Sequence, residues 1–490
     1  MSQTATLPRQ TSRLDARAWG ALLVLCGAIF LDGLDVSMVG VALPSIRADL
    51  GLSTASLQWI VSAYVLGYGG LLLLGGRVAD LLGRRRVFIW ALAVFLVASA
   101  LGGVVDDGPL LIATRFIKGV AAAFTAPAGL SIITTTFAEG PARNRALSIY
   151  TATGASGWSL GLILGGALTE VGWRWTFFLP VPIALAILIA APRFLGRDEP
   201  SERRLRGVRE FDIAGAVTVT AAMLGFVYTV VSAPDVGWGS ARTLLSIVGV
   251  AALLAIFVAI EQRSASPLVR LGILRSASLR RANLGAMAVI GGWFGVQFIA
   301  TLYMQQLRGW SPLETALAFL PGGLIVAFGA PQAGKIVDRF GTTGPIAAGM
   351  LSFLVGYVLF LGLDIDSPYA AAILPTIVLA GFGFMLAYGP LNVAATNGVA
   401  DDEQGLASGL VNTSFQVGGA VALAVVTAVI NASAVNSDAP AGSASAQLDG
   451  YESGLIVAVV IALLGLLVTL SGPVRQRWPA RLALARGGGE

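Results

Sequence analysis

Gly76-Arg-Val-Ala-Asp80-Leu-Leu-Gly83 and Gly334-Lys-Ile-Val-Asp338-Arg-Phe-Gly341 are two copies of one pattern, 258 residues apart. Each copy has glycine at both ends, a basic residue second, a β-branched aliphatic third and aspartate fifth, and each follows a long apolar run. A membrane-spanning helix takes about 20 apolar residues, so with ordinary loops the interval holds eight of them. An even shift returns the chain to the same side of a bilayer, so the two copies share one orientation. Parallel repeats of this kind build transporters from two like halves. Six helices per half leave two over, and these are the apolar pair between the loops Arg203-Arg204-Leu-Arg206 and Arg280-Arg281.

Composition agrees. The chain of 490 residues is 56% hydrophobic and 12% charged, about half the charged share of a soluble protein. Fourteen apolar segments run from Trp19–Leu43 to Gly454–Leu470. With the amino terminus inside, cytoplasmic segments hold 26 of the 32 lysines and arginines, and the outer side holds four. That is the positive-inside bias. The division is then a cytoplasmic tail (1–18), a six-helix bundle (19–195), a linker with two extra spans (196–281), a second six-helix bundle (282–472) and a cytoplasmic tail (473–490). This is an all-α polytopic membrane protein in the plasma (inner) membrane, with both termini cytoplasmic. The stretch Asn431–Gly450, rich in Ala, Ser and Asp, reads as a flexible outer loop.

Several function classes fall away. The net charge of +5 follows from membrane orientation and gives no ground for nucleic-acid binding. The chain has no histidine and one cysteine, Cys26, so there is no disulfide framework, metal site or histidine-based nucleophile. Gly329-Ala-Pro-Gln-Ala-Gly334-Lys335-Ile336 has phosphate-loop spacing, but Ile336 stands where a magnesium-binding hydroxyl is required. No cofactor, metal or enzymatic activity is expected.

The charges inside the apolar segments carry the functional reading. Asp32 and Asp35 lie in the first segment, and Arg115 and Lys118 in the fourth. Ionisable groups at such depth are expensive and mark substrate or proton pathways. Without histidine, a coupled proton rides on an acid such as these. Counting residues from the outer ends puts Asp35 level with Arg115, and Asp32 level with Lys118, as two acid–base rungs. Asp35 is the expected proton-coupling residue.

Leu34-Asp35-Val-Ser-Met-Val-Gly-Val-Ala-Leu-Pro44, Leu111-Ile-Ala-Thr-Arg115-Phe-Ile-Lys118-Gly119 and Gly157-Trp-Ser-Leu-Gly161-Leu162-Ile-Leu-Gly165-Gly166 resemble motifs of one family, as does the repeat with its Arg84-Arg85-Arg86 extension. The family is the major facilitator superfamily, in its fourteen-helix drug:proton antiporter branch. The resemblance covers essentially the whole chain. It implies two six-helix bundles plus two inserted helices, and export of amphipathic drug-like or antibiotic compounds by alternating access. Partners implied are the small-molecule substrate, protons and the lipid bilayer, with the protein a monomer. Gating is implied for Gly76, Arg77, Asp80, Gly83, Arg84 and Arg85, with Asp338 and Arg339 in the second copy. Proton coupling is implied for Asp35 and Arg115, and the depth of Asp32 and Lys118 in the membrane adds those two to the expected set. Gly157, Gly161, Gly165 and Gly166 would let helices approach closely. Cavity-lining helices would bring Trp293, Phe294 and Gln297, Tyr388 and Asn392, and Trp158 to the substrate.

Two residues depart from the family pattern. Leu162 replaces a proline and leaves room for a proton-linked importer or facilitator. Lys118 replaces a neutral glutamine, and a like charge in a dry cavity disfavours purely cationic substrates. A membrane-embedded sensor without transport is the remaining alternative.

Overall fold

The computed structural model describes residues 16–137, 141–197, 212–264, 267, 269–329, 332–399, 404–436, 439–440 and 443–472, and among these no strand is present. Most of both predicted tails and the Arg203–Arg206 loop lie outside the described residues.

In chain order the first half holds α1 (Ala16–Leu50), α2 (Thr54–Leu82), α3 (Arg84–Val104), α4 (Gly108–Thr136), α5 (Pro141–Val171), α6 (Trp175–Phe178) and α7 (Pro180–Phe194). Pro180 lacks an amide donor and breaks what is otherwise one rod from α6 to α7. The middle pair is α8 (Ile213–Val236) and α9 (Ala241–Arg263). The second half holds α10 (Ala277–Leu302), α11 (Pro312–Gly329), the short α12 (Ala333–Phe340), α13 (Thr343–Phe360), α14 (Leu374–Thr396), α15 (Gln404–Asn436) and α16 (Ala444–Leu470). Eleven of the described helices are long and apolar enough to cross a membrane. Besides these, α2 has 29 residues, α5 has 31 and α8 has 24.

Helix ends follow the sequence chemistry. Ser53, Asp107 and Ser443 accept from the backbone amides of Ser56, Leu110 and Ala446 at 3.1, 3.1 and 3.2 Å, satisfying donors that a helix start leaves open. The last glycine of each repeat copy explains its place. Gly83 has φ 100° between α2 and α3, and Gly341 has φ 70° after α12; both values favour glycine over a side-chain-bearing residue. One expectation is corrected here. The supposed loop Asn431–Gly450 is largely helical, because α15 continues to Asn436 and α16 already starts at Ala444. Alanine-rich sequence keeps helix propensity high, and the Ser443 cap starts the next helix.

The packing is duplicated. In the first half α1 runs along α5, and in the second α10 runs along α15. Between halves, α2 packs on α15 and α5 packs on α11, so element two of each half meets element five of the other. The inserted α8 lies against both α2 and α15, with Leu224 beside Gly70, while α9 packs chiefly on α8. Leu245 and Val248 on α9 are 71% and 64% exposed, as expected of a surface facing lipid.

Candidate functional site

Glycine places the first helix. A Cβ on Gly157 would lie 2.3 Å from the Phe30 carbonyl oxygen, one on Gly161 2.7 Å from that of Leu34, and one on Gly165 2.6 Å from Met38 Cα. These three residues let α5 lie backbone to backbone on α1. Gly166 faces another way, against Ala316 and Leu313 of α11, and so closes a seam between the halves. Ser159 adds a hydrogen bond across that seam, to the Gly323 carbonyl at 2.9 Å. Leu162 is 1% exposed in the core. On α4, Gly119 meets the Tyr64 carbonyl oxygen of α2 with room for no side chain.

Pressed between these helices is a buried charge cluster. Asp35 is 0% exposed, Arg115 1% and Lys118 0%. Arg115 Nη1 donates to Asp35 Oδ2, and Lys118 Nζ donates to Asp35 Oδ1. Arg115 Nε also donates to the Ile60 carbonyl at 3.1 Å, and its guanidinium lies 4.6 Å from the centre of the Tyr64 ring. Lys118 Nζ faces the rings of Phe95 and Phe177 at 4.8 and 5.1 Å.

The Asp35–Arg115 rung is therefore present, whereas the Asp32–Lys118 rung is not. Both cations converge on Asp35. Asp32, at 8% exposure, has no ion pair within 4.0 Å among the described residues. Its carboxylate lies within electrostatic reach of Lys118 and Asp35 as well as of the phenols of Tyr64, Tyr68 and Tyr150. Residue counting fixes depth along a helix, but a lysine stem reaches a full turn, and that reach decided the partner.

A chain of aromatic rings crosses from one half to the other. Trp158 of α5 stacks on Phe294 at 6.1 Å and meets Trp293 edge-on at 6.2 Å. Trp293 contacts Phe384 at 5.5 Å, Phe384 stacks on Tyr388 at 5.0 Å, and Tyr388 stacks on Phe415 at 4.6 Å. The four ring residues singled out in the sequence thus belong to one structure. Trp158, Trp293, Phe294, Phe384 and Tyr388 are all half-buried and pack against the core. Trp158 Nε1 has no hydrogen-bond partner among the described residues. Gln297 Nε2 sits beside Gly40 of α1, 3.4 Å from where a Cβ would be, and Asn392 turns back to donate to the Tyr388 carbonyl at 2.9 Å. Sequence reading missed Phe384, Phe415, Tyr68 and Tyr150. A ring at helical spacing looks the same whether its neighbour is packing or cavity.

Where α1 stops, the halves are tied together. Arg47 Nη1 donates to Gln306 Oε1 at 3.0 Å, Gln305 Nε2 to the Val41 carbonyl at 3.0 Å, and the Leu313 amide to Glu170 Oε1 at 3.3 Å. On the same rim, Arg174 bridges Asp49 and Asp106, and the Trp173 indole donates to Asp49 at 2.9 Å. Near the opposite end, Arg85 Nη2 of the first repeat donates to the Pro192 carbonyl of α7 at 2.8 Å. Gly76 has open space beside it, with only Pro127 in ordinary contact, and Arg339 is exposed. The side chains of Arg77, Asp80 and Asp338 lie outside the described residues.

The Major Facilitator Superfamily profile matches residues 25–423. The chain is 37% identical over 465 residues to the puromycin resistance protein pur8 of Streptomyces alboniger, covering 93% of this chain and 90% of that one. It is 38% identical over 447 residues to the cephamycin export protein CmcT of Amycolatopsis lactamdurans, covering 91% of each. Among solved structures, the human organic anion transporter MFSD10 (TETRAN) shares the fold at a TM-score of 0.63 and 16% identity, covering 93% of this chain and all of that one.

Proposed function

The chain belongs to the Major Facilitator Superfamily, and from that premise we propose that it is a proton-coupled exporter of amphipathic, antibiotic-like compounds. The observation that carries this reading is the buried Asp35–Arg115–Lys118 cluster with the unpaired Asp32 beside it, next to an aromatic wall shared by both halves. Two cations and two carboxylates balance when all four are ionised, so a proton gained by an acid shifts the buried charge unless a cation releases one, and either change alters the contacts that hold the conformer. Tethers between halves at the Leu50 end of α1 are the contacts that alternating access has to break.

In this reading all fourteen long helical rods cross the cell membrane, both termini face the cytoplasm, the repeat loops gate that side, and the protein works as a monomer. The limits 19–195 and 282–472 bound the two halves. The aromatic chain binds the flat part of the substrate, and the Trp158 indole donates to an acceptor on it. Lys118 gives no reason to exclude cations, because its charge faces Asp35, Phe95 and Phe177 and not the aromatic wall. One proton crossing 100 mV releases about 2.3 kcal/mol, enough for roughly a fortyfold substrate gradient.

The test uses energised cells with and without the protein, loaded with puromycin and a panel of neutral and anionic amphiphiles. Export predicts lower accumulation with the protein, reversed by an uncoupler. Higher accumulation would instead support the importer reading, for which Leu162 in place of a proline within α5 leaves room.

A further inference from the structure

The four buried charges are not equivalent. Arg115 is held three ways, by Asp35, by the Ile60 carbonyl and by the Tyr64 ring, and a guanidinium does not give up its proton in a protein. One carboxylate facing one permanent cation is already a neutral pair. Lys118 adds a second cation to the same carboxylate, at a position 0% exposed and walled by Phe95 of α3 and Phe177 of α6. Among the described residues its only ion-pair partner within 4.0 Å is Asp35. An ammonium in such a place differs from the guanidinium in one decisive respect: it can exist neutral. Asp32, one turn along α1 from Asp35, is the acid left over, with no ion pair of its own within 4.0 Å among the described residues.

We propose that Lys118 is itself a proton-exchanging group, working in alternation with Asp32. When the Asp32 carboxylate takes a proton from water on one side, the Lys118 ammonium releases one to water on the other and becomes an amine. On the return Asp32 gives its proton to the Lys118 amine and ionises, so one proton has crossed per cycle. Protons balance, the cluster of Asp32, Asp35, Arg115 and Lys118 stays neutral throughout, and the Asp35–Arg115 pair is never broken. Among the described residues, the charges acting on Lys118 are Asp35 and Asp32 from α1 and Arg115 from its own helix, beside the two rings. This inference rests on the proton-coupled reading above and adds the identity of the second proton site.

The test reconstitutes full-length protein, Lys118→Arg and Lys118→Gln into proteoliposomes, with puromycin as the probe. Membrane potential is clamped at zero and a pH difference of about one unit is imposed, where one proton per substrate sustains about tenfold accumulation. Puromycin counterflow without any gradient is measured in parallel. Lys118→Arg keeps the charge but not the exchangeable proton. The expected result is counterflow within about twofold of wild type and accumulation falling from about tenfold to about one, with Lys118→Gln showing the same loss. Lys118→Arg accumulating like wild type overturns the inference, because charge alone then suffices. Lys118→Arg losing counterflow as well also overturns it, since the lysine would then be a packing requirement. If wild type accumulates nothing, the proton-coupled reading itself fails, an outcome distinct from both.

Discussion

Removing the Asp35 charge while keeping its shape, as in Asp35→Asn, strands two cations at sites 1% and 0% exposed. Leaving a buried charge without its partner costs about 3–5 kcal/mol, and Asp32 lies close enough to answer only part of it. Lys118→Met should behave differently. It replaces an ammonium between two phenylalanine rings by an apolar chain of similar length and leaves Asp35 paired with Arg115, so its cost stays within about 1 kcal/mol. The double variant has one stranded cation instead of two. It should recover about 3 kcal/mol relative to the sum of the single changes. Purified protein in mixed micelles, unfolded by titration with sodium dodecyl sulfate, reports the four corners of this cycle. Effects that add within about 0.5 kcal/mol would refute the shared cluster, because independent sites have no reason to couple.

Three further outcomes follow from the geometry. Gly161→Ala puts a Cβ 2.7 Å from the Leu34 carbonyl oxygen and should cost about 1–3 kcal/mol of stability in the same titration; Gly196→Ala, with nothing within 4 Å, should be silent. Trp293→Ala removes two ring contacts within the protein, each worth about 0.5–1.5 kcal/mol, so stability in the same titration should fall by about 1–3 kcal/mol, and the half-saturating concentration of an aromatic substrate should rise while the maximal rate changes little. Arg47→Ala together with Gln305→Ala cuts two of the ties at the Leu50 end. A cysteine replacing the fully buried Met38, in a background without Cys26, should then react several-fold faster with an impermeant maleimide; an unchanged rate would mean these ties do not hold that end shut.

The fold was legible because its signals are collective. The interval between the repeat copies and the arginine bias both constrain many residues at once, and each repeat's closing glycine marks a turn that the backbone requires. The charge cluster was legible in depth, since rise per residue along a helix is fixed, and Asp35 indeed meets Arg115. Its detail was not. Lys118 lies one turn from Arg115 and its flexible stem spans that turn, so depth alone does not choose between Asp32 and Asp35. The aromatic wall shows the same limit. Trp158, Trp293, Phe294 and Tyr388 stand out by type, but Phe384 and Phe415 join them only through contacts that depend on how helices rotate about their axes. Asn431–Gly450 misled for a local reason: alanine and serine suit both a loop and a capped helix.

Proton movement per puromycin transported, followed with a pH-sensitive dye inside proteoliposomes, tests the central claim most directly. Wild type should move protons opposite to substrate, whereas Asp35→Asn should exchange substrate with no proton movement above the protein-free background. Asp35→Asn moving protons at the wild-type ratio would contradict the assignment of coupling to this cluster.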